Sequence, residues 1–271
     1  MKKLVLLFSC AALVFSLSMF SAGCSKSNPA GPVMPTPIPT VNGGIGQSAV
    51  PLGTSARFAI LSNANLTDIP TSHIAGDVGI SPGQRSNITG LLNSDGQVTV
   101  GAIYAADDSG LDGGITIPAM LINARNDAAV AYSNAVNASR GTPTSISGNL
   151  NGLTLAPGLY ESGTSIEISA AGKLYLDGHG DSNAVFVLRS ATSITTESTS
   201  EVVLAGSAQA KNVFWTAGSA ITLGTNSKMK GTLIASTSIS LLTGARLDGR
   251  ALIQSASAAQ VSLDTNTIVL P

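Results

Sequence analysis

Cysteine is nearly missing from this chain of 271 residues: Cys10 and Cys24 are the only two, and both lie close to the start. A fold stapled by disulfides is therefore excluded for the rest of the chain. With no later thiol and only His73 and His179, a zinc site has almost no ligands to draw on. Aromatic residues make up 4%, which argues against a ring-lined ligand cavity and for a narrow core of Val, Ile, Leu and Ala. Charge is scarce too, at 11% of residues with a net charge of −1. That excludes the basic footprint of a nucleic-acid binder and the composition of a charge-rich disordered tail. Glycine, by contrast, is plentiful (29 residues) and suits tight corners between short strands.

The N-terminus reads as an address. Lys2 and Lys3 precede an apolar run from Leu4 to Phe20, followed by Ser21, Ala22, Gly23 and Cys24. This order marks residues 1–23 as a secretory signal peptide. A membrane span is the competing reading, but about 17 apolar residues sit at its lower limit. Ser21-Ala22-Gly23-Cys24 resembles a bacterial lipobox, with Ser21 where leucine is usual. The resemblance implies lipidation of Cys24 and a tether to the cell envelope, with the outer membrane expected; without the lipid the protein is secreted. Residues 24–48 read as a Pro/Ser-rich spacer, carrying Pro29, Pro32, Pro35, Pro37 and Pro39. The folded domain is assigned to residues 49–271.

Within that domain the C-terminal third repeats. Phe214, Ile234 and Ile253 anchor similar units about 20 residues apart, a period that fits one turn of a β-solenoid. Each coil divides into three short strands, predicting a triangular section. The first strand (Val185-Phe186-Val187, Val213-Phe214-Trp215, Leu233-Ile234-Ala235) is apolar on both sides and needs a cover. A helix predicted from Pro118 to about Ser139 supplies one, since Leu121, Ala124, Ala128, Ala131 and Ala135 form a single stripe of mostly small side chains. The third strand carries Lys173, Glu201, Lys228, Lys230 and Arg246 and reads as a solvated face.

The second strand alternates. Ile166, Ile194, Ile221, Ile239 and Val261 point inward. Ser165, Ser193, Thr195, Ala220, Thr222, Ser238, Ser240 and Ser262 point outward, with Thr192 and Thr237 leading into their strands. Stacking at a fixed spacing of about 4.8 Å would turn these residues into a rigid, nearly uncharged lattice of hydroxyls and methyls. Such a surface orders water and fits ice, although Ser and Thr also suit any exposed strand.

Several segments together resemble a known family: 73–83 around His73-Ile74-Ala75-Gly76-Asp77; Leu155-Ala156-Pro157-Gly158-Leu159-Tyr160; 177–188; 206–215; and 231–254. Over residues 50–271 the chain is similar to the ice-binding domains of bacteria, diatoms and fungi. The resemblance implies a mainly β fold: a discontinuous right-handed parallel β-solenoid with one long helix alongside. It also implies an ice-binding face with a loose Thr-Ala/Gly-any-Thr/Asn repeat. Thr192 to Thr195 and Ser219 to Thr222 match it best, and Thr237 to Ser240 less well. Glu167 and the bulky Gln260 depart from it. Thr67, Thr71 and Thr99 are candidates to extend the face, with no register assigned.

The sequence shows no nucleophile–base constellation, so a non-enzyme without cofactor or metal is expected. Asp177-Gly178-His179-Gly180-Asp181 reads as a turn, and Asp107-Asp108 with Asp112 misses calcium-loop spacing. The expected partners are ice or ordered water and, through Cys24, a membrane; a monomer is expected. The alternative is a non-catalytic adhesion or glycan-binding module on the same solenoid. Against it, Trp215, the only tryptophan, falls on the buried strand.

Overall fold

The computed structural model describes residues 40–44, 46–92, 94–254 and 258–271. The signal-peptide and Cys24 assignments, and most of the proposed linker, lie outside these residues. The end of the linker differs from expectation. Thr40–Val41 is a strand paired in parallel with Thr154 and Leu155, so the fold begins before residue 49. The Tyr160 hydroxyl, donating to the Val41 carbonyl at 3.0 Å and to the Ala156 carbonyl at 2.5 Å, ties this strand to the core.

All coil strands are parallel and fall on three faces. On the first face Gly158–Ser162, Phe186–Ser190 and Val213–Ala217 stack in turn. On the second, Ile166–Ile168, Ile194–Thr196, Ala220–Leu223, Ser238–Leu241 and Gln260–Asp264 follow one another. On the third, Lys173–Asp177 and Glu201–Ala205 lead into Lys228–Ala235 and Arg246–Ile253. These last two strands run through a corner into the first face of the next coil. Glycine is required there: Gly231 has φ +106°, and a Cβ on Gly249 would strike the Gly231 carbonyl. The corner after the second face repeats a left-handed residue coil upon coil: Ala171, Thr199, Asn226, Gly244 and Thr265 all have positive φ.

The stack is discontinuous in sequence. Phe58–Ser62, Asn65–Ile69 and His73–Ala75 form a coil that pairs onto Arg246–Ile253, Gln260–Asp264 and Thr267–Val269. Asp77–Ile80, Ile88–Thr89 and Val98–Thr99 add a further coil beyond it. The C-terminal coil is therefore internal, sandwiched between earlier and later parts of the chain.

Inside, like stacks on like. Tyr160, Leu188, Trp215, Leu233, Ala251, Ile60, Val78 and Ile103 form one continuous inward column. Trp215 is fully buried, and its indole N–H donates to the Lys230 carbonyl at 2.9 Å. The helix, Ile117–Ala135, covers the first face. Leu121, Ala124, Ala128, Ala131 and Ala135 are all buried, against Phe58, Leu61 and Leu252 at one end and Leu159, Val187, Phe214 and Ile234 at the other. Alanine lets the helix axis lie close to the sheet. The helix stops earlier than the sequence predicts, at Ala135 instead of about Ser139. Arg189 takes the Val136 carbonyl and Arg140 that of Asn134, and residues Ala138–Arg140 turn as a 3₁₀ segment closed by Gly141 at φ +98°. The cationic side chains satisfy carbonyls that further helix would otherwise have used.

Candidate functional site

The second face is a separate sheet of eight strands, in the order Gly148–Asn149, Ile166–Ile168, Ile194–Thr196, Ala220–Leu223, Ser238–Leu241, Gln260–Asp264, Asn65–Ile69, Ile88–Thr89. The helix packs on the first face and leaves this sheet uncovered. Ile166, Ile194, Ile221, Ile239, Val261 and Leu66 are all buried and hold the strands to the core. Their one-in, one-out alternation fixes which residues face water.

Two outward columns result. One runs Asn149, Glu167, Thr195, Thr222, Ser240, Ser262, Thr67, Thr89 by direct register. The other contains Ala220, Ser238, Gln260 and Asn65. Ser193 and Ser165 continue it one position before the paired Ile194 and Ile166. A third, shorter row lies at the corner leading into the strands. There the Thr192 carbonyl accepts from the Ser219 N–H at 2.7 Å, and the Ser219 and Thr237 hydroxyls lie 3.4 Å apart. The structure thus gathers every outward residue named from the sequence onto one surface. Thr192 and Thr237 stand in turns rather than strands. Seven steps of about 4.8 Å give the main column a length of roughly 34 Å.

The lattice is braced from within. The Ser262 hydroxyl donates to that of Ser240 at 3.0 Å, fixing two neighbouring side chains. At the corner behind it, Ser162 and Ser190 each donate to a backbone carbonyl three residues on, at 2.9 Å, and Ser62 does the same to Asn65. These bonds hold the edge of each rung at the same angle.

Charge is confined to the margins. Glu167 enters the main column near one end, beside Asn149, and makes no ion pair among the described residues. From Thr195 to Thr89 that column carries no ionisable group. Beyond the second strand lie Glu197, Leu242, Asp264 and Ile69; Leu242 and Ile69 are 45% and 62% exposed. Ion pairs gather instead on the third face, where Lys173 meets Glu201 at 3.5 Å and Asp248 meets Arg246 at 2.6 Å and also Lys230.

The early-coil candidates separate. Thr67 lies in the main column, opposite Ser262. Thr99 pairs with Ala75 on the third face instead, and Thr71 falls in the turn after Asn65–Ile69. Asn65, Thr89 and Asn149 were not read from the sequence; each belongs to a coil too irregular to reveal its phase. The other acidic segments hold loops together. Asp177 and Asp181 accept from N–H groups two residues on, at 2.8 Å. Asp108 binds Arg85, and Asp112 binds Arg57 at 2.9 Å. Among the described residues no three His, Cys, Asp or Glu side chains are grouped to hold a metal, and no helix is long and apolar enough to cross a membrane.

Fold and surface together define a class: a discontinuous parallel β-solenoid, helix-clad on one side, that displays an in-register hydroxyl face on another. The model of the family described as "Ice-binding-like" matches residues 60–269, and the chain belongs to that family. It is 38% identical over 228 residues to an ice-binding protein of Flavobacterium frigoris (strain PS1), spanning 82% of this chain and 76% of that protein. Among solved structures, an ice binding protein from an Antarctic biological consortium aligns with a TM-score of 0.73 at 35% identity, covering 84% of this chain and 93% of the other. The DUF3494 domain of Shewanella frigidimarina ice-binding protein_1 aligns with a TM-score of 0.75 at 30% identity, covering 83% and 98%.

Proposed function

We propose that this protein is a non-catalytic binder of ice, and that the second face is its contact surface. The observation that carries this reading is the column Thr195, Thr222, Ser240, Ser262, Thr67, Thr89, which crosses six rungs without an ionisable group. Methyls shape the adjoining water and hydroxyls anchor it. Because the backbone ladder fixes the rungs in advance, little ordering entropy is spent on contact. Ser165, Ser193, Ala220 and Ser238 form the neighbouring column, Thr192 and Thr237 its flank. Membership of the ice-binding-like family supports the same conclusion, and the relatives give the adhesion alternative no support.

Tyrosine at Thr195 or Thr222 would raise a ring out of the lattice without touching the core. Each of Thr195→Tyr and Thr222→Tyr is expected to lose most thermal hysteresis and ice-recrystallisation inhibition, with circular dichroism and melting temperature unchanged. A native chain inactive in both assays, or variants that keep full activity, would refute the proposal.

The segment before the fold supports a second element of the reading: the protein is exported and held at the cell envelope by a lipid on Cys24, with the proline-rich stretch as spacer. Cys24→Ala is expected to move it from the membrane fraction to the medium. Equal membrane recovery of both forms would count against the anchor.

A further inference from the structure

Where the helix ends against the covered sheet there is a pocket of about 200 Å³, lined by Tyr132, Val136, Glu161, Arg189, Ser190 and Gly218 among others. Arg189 enters it from an otherwise apolar strand and is only 7% exposed. Its Nη1 donates to the Val136 carbonyl at 3.0 Å. Glu161, opposite it on the next coil, brings a carboxylate oxygen to 3.7 Å of that same nitrogen while its own side chain stays 42% exposed. The other edge of the guanidinium is unused: among the described residues, Nε and Nη2 are buried without a partner. Beside it is a second orphan. Thr216, opposite Arg189 on the other neighbouring coil, is 1% exposed, and its hydroxyl also lacks a partner.

Buried N–H groups on a cation are costly to leave unpaired, and the Nε/Nη2 edge is the fork that matches a carboxylate or other oxyanion with two parallel bonds. Charge favours the same ligand. Arg140, close enough for the two guanidiniums to repel, outweighs Glu161 together with Arg189 and leaves a local excess of positive charge. The pocket has room for roughly six waters, and so for an anion of a few heavy atoms.

We propose that this pocket binds a small oxyanion, gripped by Arg189 Nε and Nη2 with the Thr216 hydroxyl as a neighbouring donor. The ligand is a short carboxylate or a tetrahedral anion such as sulfate or phosphate, which share this chemistry. The site belongs to the helix-covered face and is independent of ice binding.

The test titrates the mature protein with sodium acetate, sulfate or phosphate against chloride at matched ionic strength, following the Arg189 Nε–H resonance and the melting temperature. At least one oxyanion is expected to shift the resonance saturably and to raise the melting temperature with concentration. Whether acetate or the tetrahedral pair does so identifies the source. Arg189→Lys keeps the charge and loses the fork; Thr216→Val loses the neighbouring donor. Each is expected to weaken binding at least tenfold, and Glu161→Gln to tighten it about threefold. Thermal hysteresis should be unchanged in Thr216→Val and Glu161→Gln, which keeps this outcome separate from that of the ice face. No saturable response to any of the three anions in either the native chain or Glu161→Gln overturns the proposal. So does a response that survives both Arg189→Lys and Thr216→Val.

Discussion

Asp68 occupies an inward position where the coils stacked before it place Leu223, Leu241 and Leu263. One of its carboxylate oxygens accepts from the Ser72 hydroxyl at 2.6 Å, and the other is buried with no partner among the described residues. Burial pushes this carboxyl above the ordinary aspartate range; Asp264 and Asp95 add to the shift, and the Ser72 hydrogen bonds oppose it. The sign of the consequence follows from linkage. Above the ordinary value, the folded protein still holds a proton that the unfolded chain has released, so this residue lowers stability as pH rises through that window. Asp95 and Asp112 are shifted the other way by their hydrogen bonds, which is why a difference measurement is needed to isolate Asp68. Asp68→Asn is expected to stabilise the fold by about 1 kcal/mol at pH 8. The gain should vanish near pH 3.5. Urea midpoints at the two pH values check this, and a gain independent of pH would show that the charge is not what matters.

At the scale of elements, legibility followed the regularity of packing. The rungs from Ile166 to Val261 each put one β-branched residue inward with small polar neighbours, so their alternation could be read directly. The alanine stripe of the helix was equally plain, because only small side chains fit between a helix and the sheet carrying Val187, Phe214 and Ile234. The helix end was not, since the group that caps it, Arg189, lies 53 residues further along the chain. The early rungs were obscured for a different reason. Asn65–Ile69 breaks its alternation with the inward Asp68, and Gln97-Val98-Thr99 alternates as a face strand would yet stacks on the third face. A strand's own pattern tells inside from outside; which face it joins is decided by the coil beneath it. Arg189 had one visible signal, a lone cation ending the apolar run Val185-Phe186-Val187-Leu188.

Over the whole molecule, the consequential feature is that the last coil made is the one in the middle. Gln260–Asp264 lies between Ser238–Leu241 and Asn65–Ile69, and Thr267–Val269 between Arg246–Ile253 and His73–Ala75. Bonds across this junction join residues 194 apart, from the Asn266 N–H to the Ser72 hydroxyl and from Arg250 Nε to the Ala56 carbonyl. The N-terminal coils therefore have no complete platform until the C-terminus has folded, which predicts slow folding through distant contacts. Deleting residues 260–271 should leave two long sheet edges open where a rung has been removed. That chain is expected to show no cooperative urea transition by Trp215 fluorescence and to sediment as aggregate. Removing residues 24–44 should do far less. It strips a two-residue strand from one end of the stack and the Val41 acceptor from Tyr160, an expected loss of about 2 kcal/mol with the transition still cooperative. If the two deletions behave alike, the internal rung has no special place in holding the stack together.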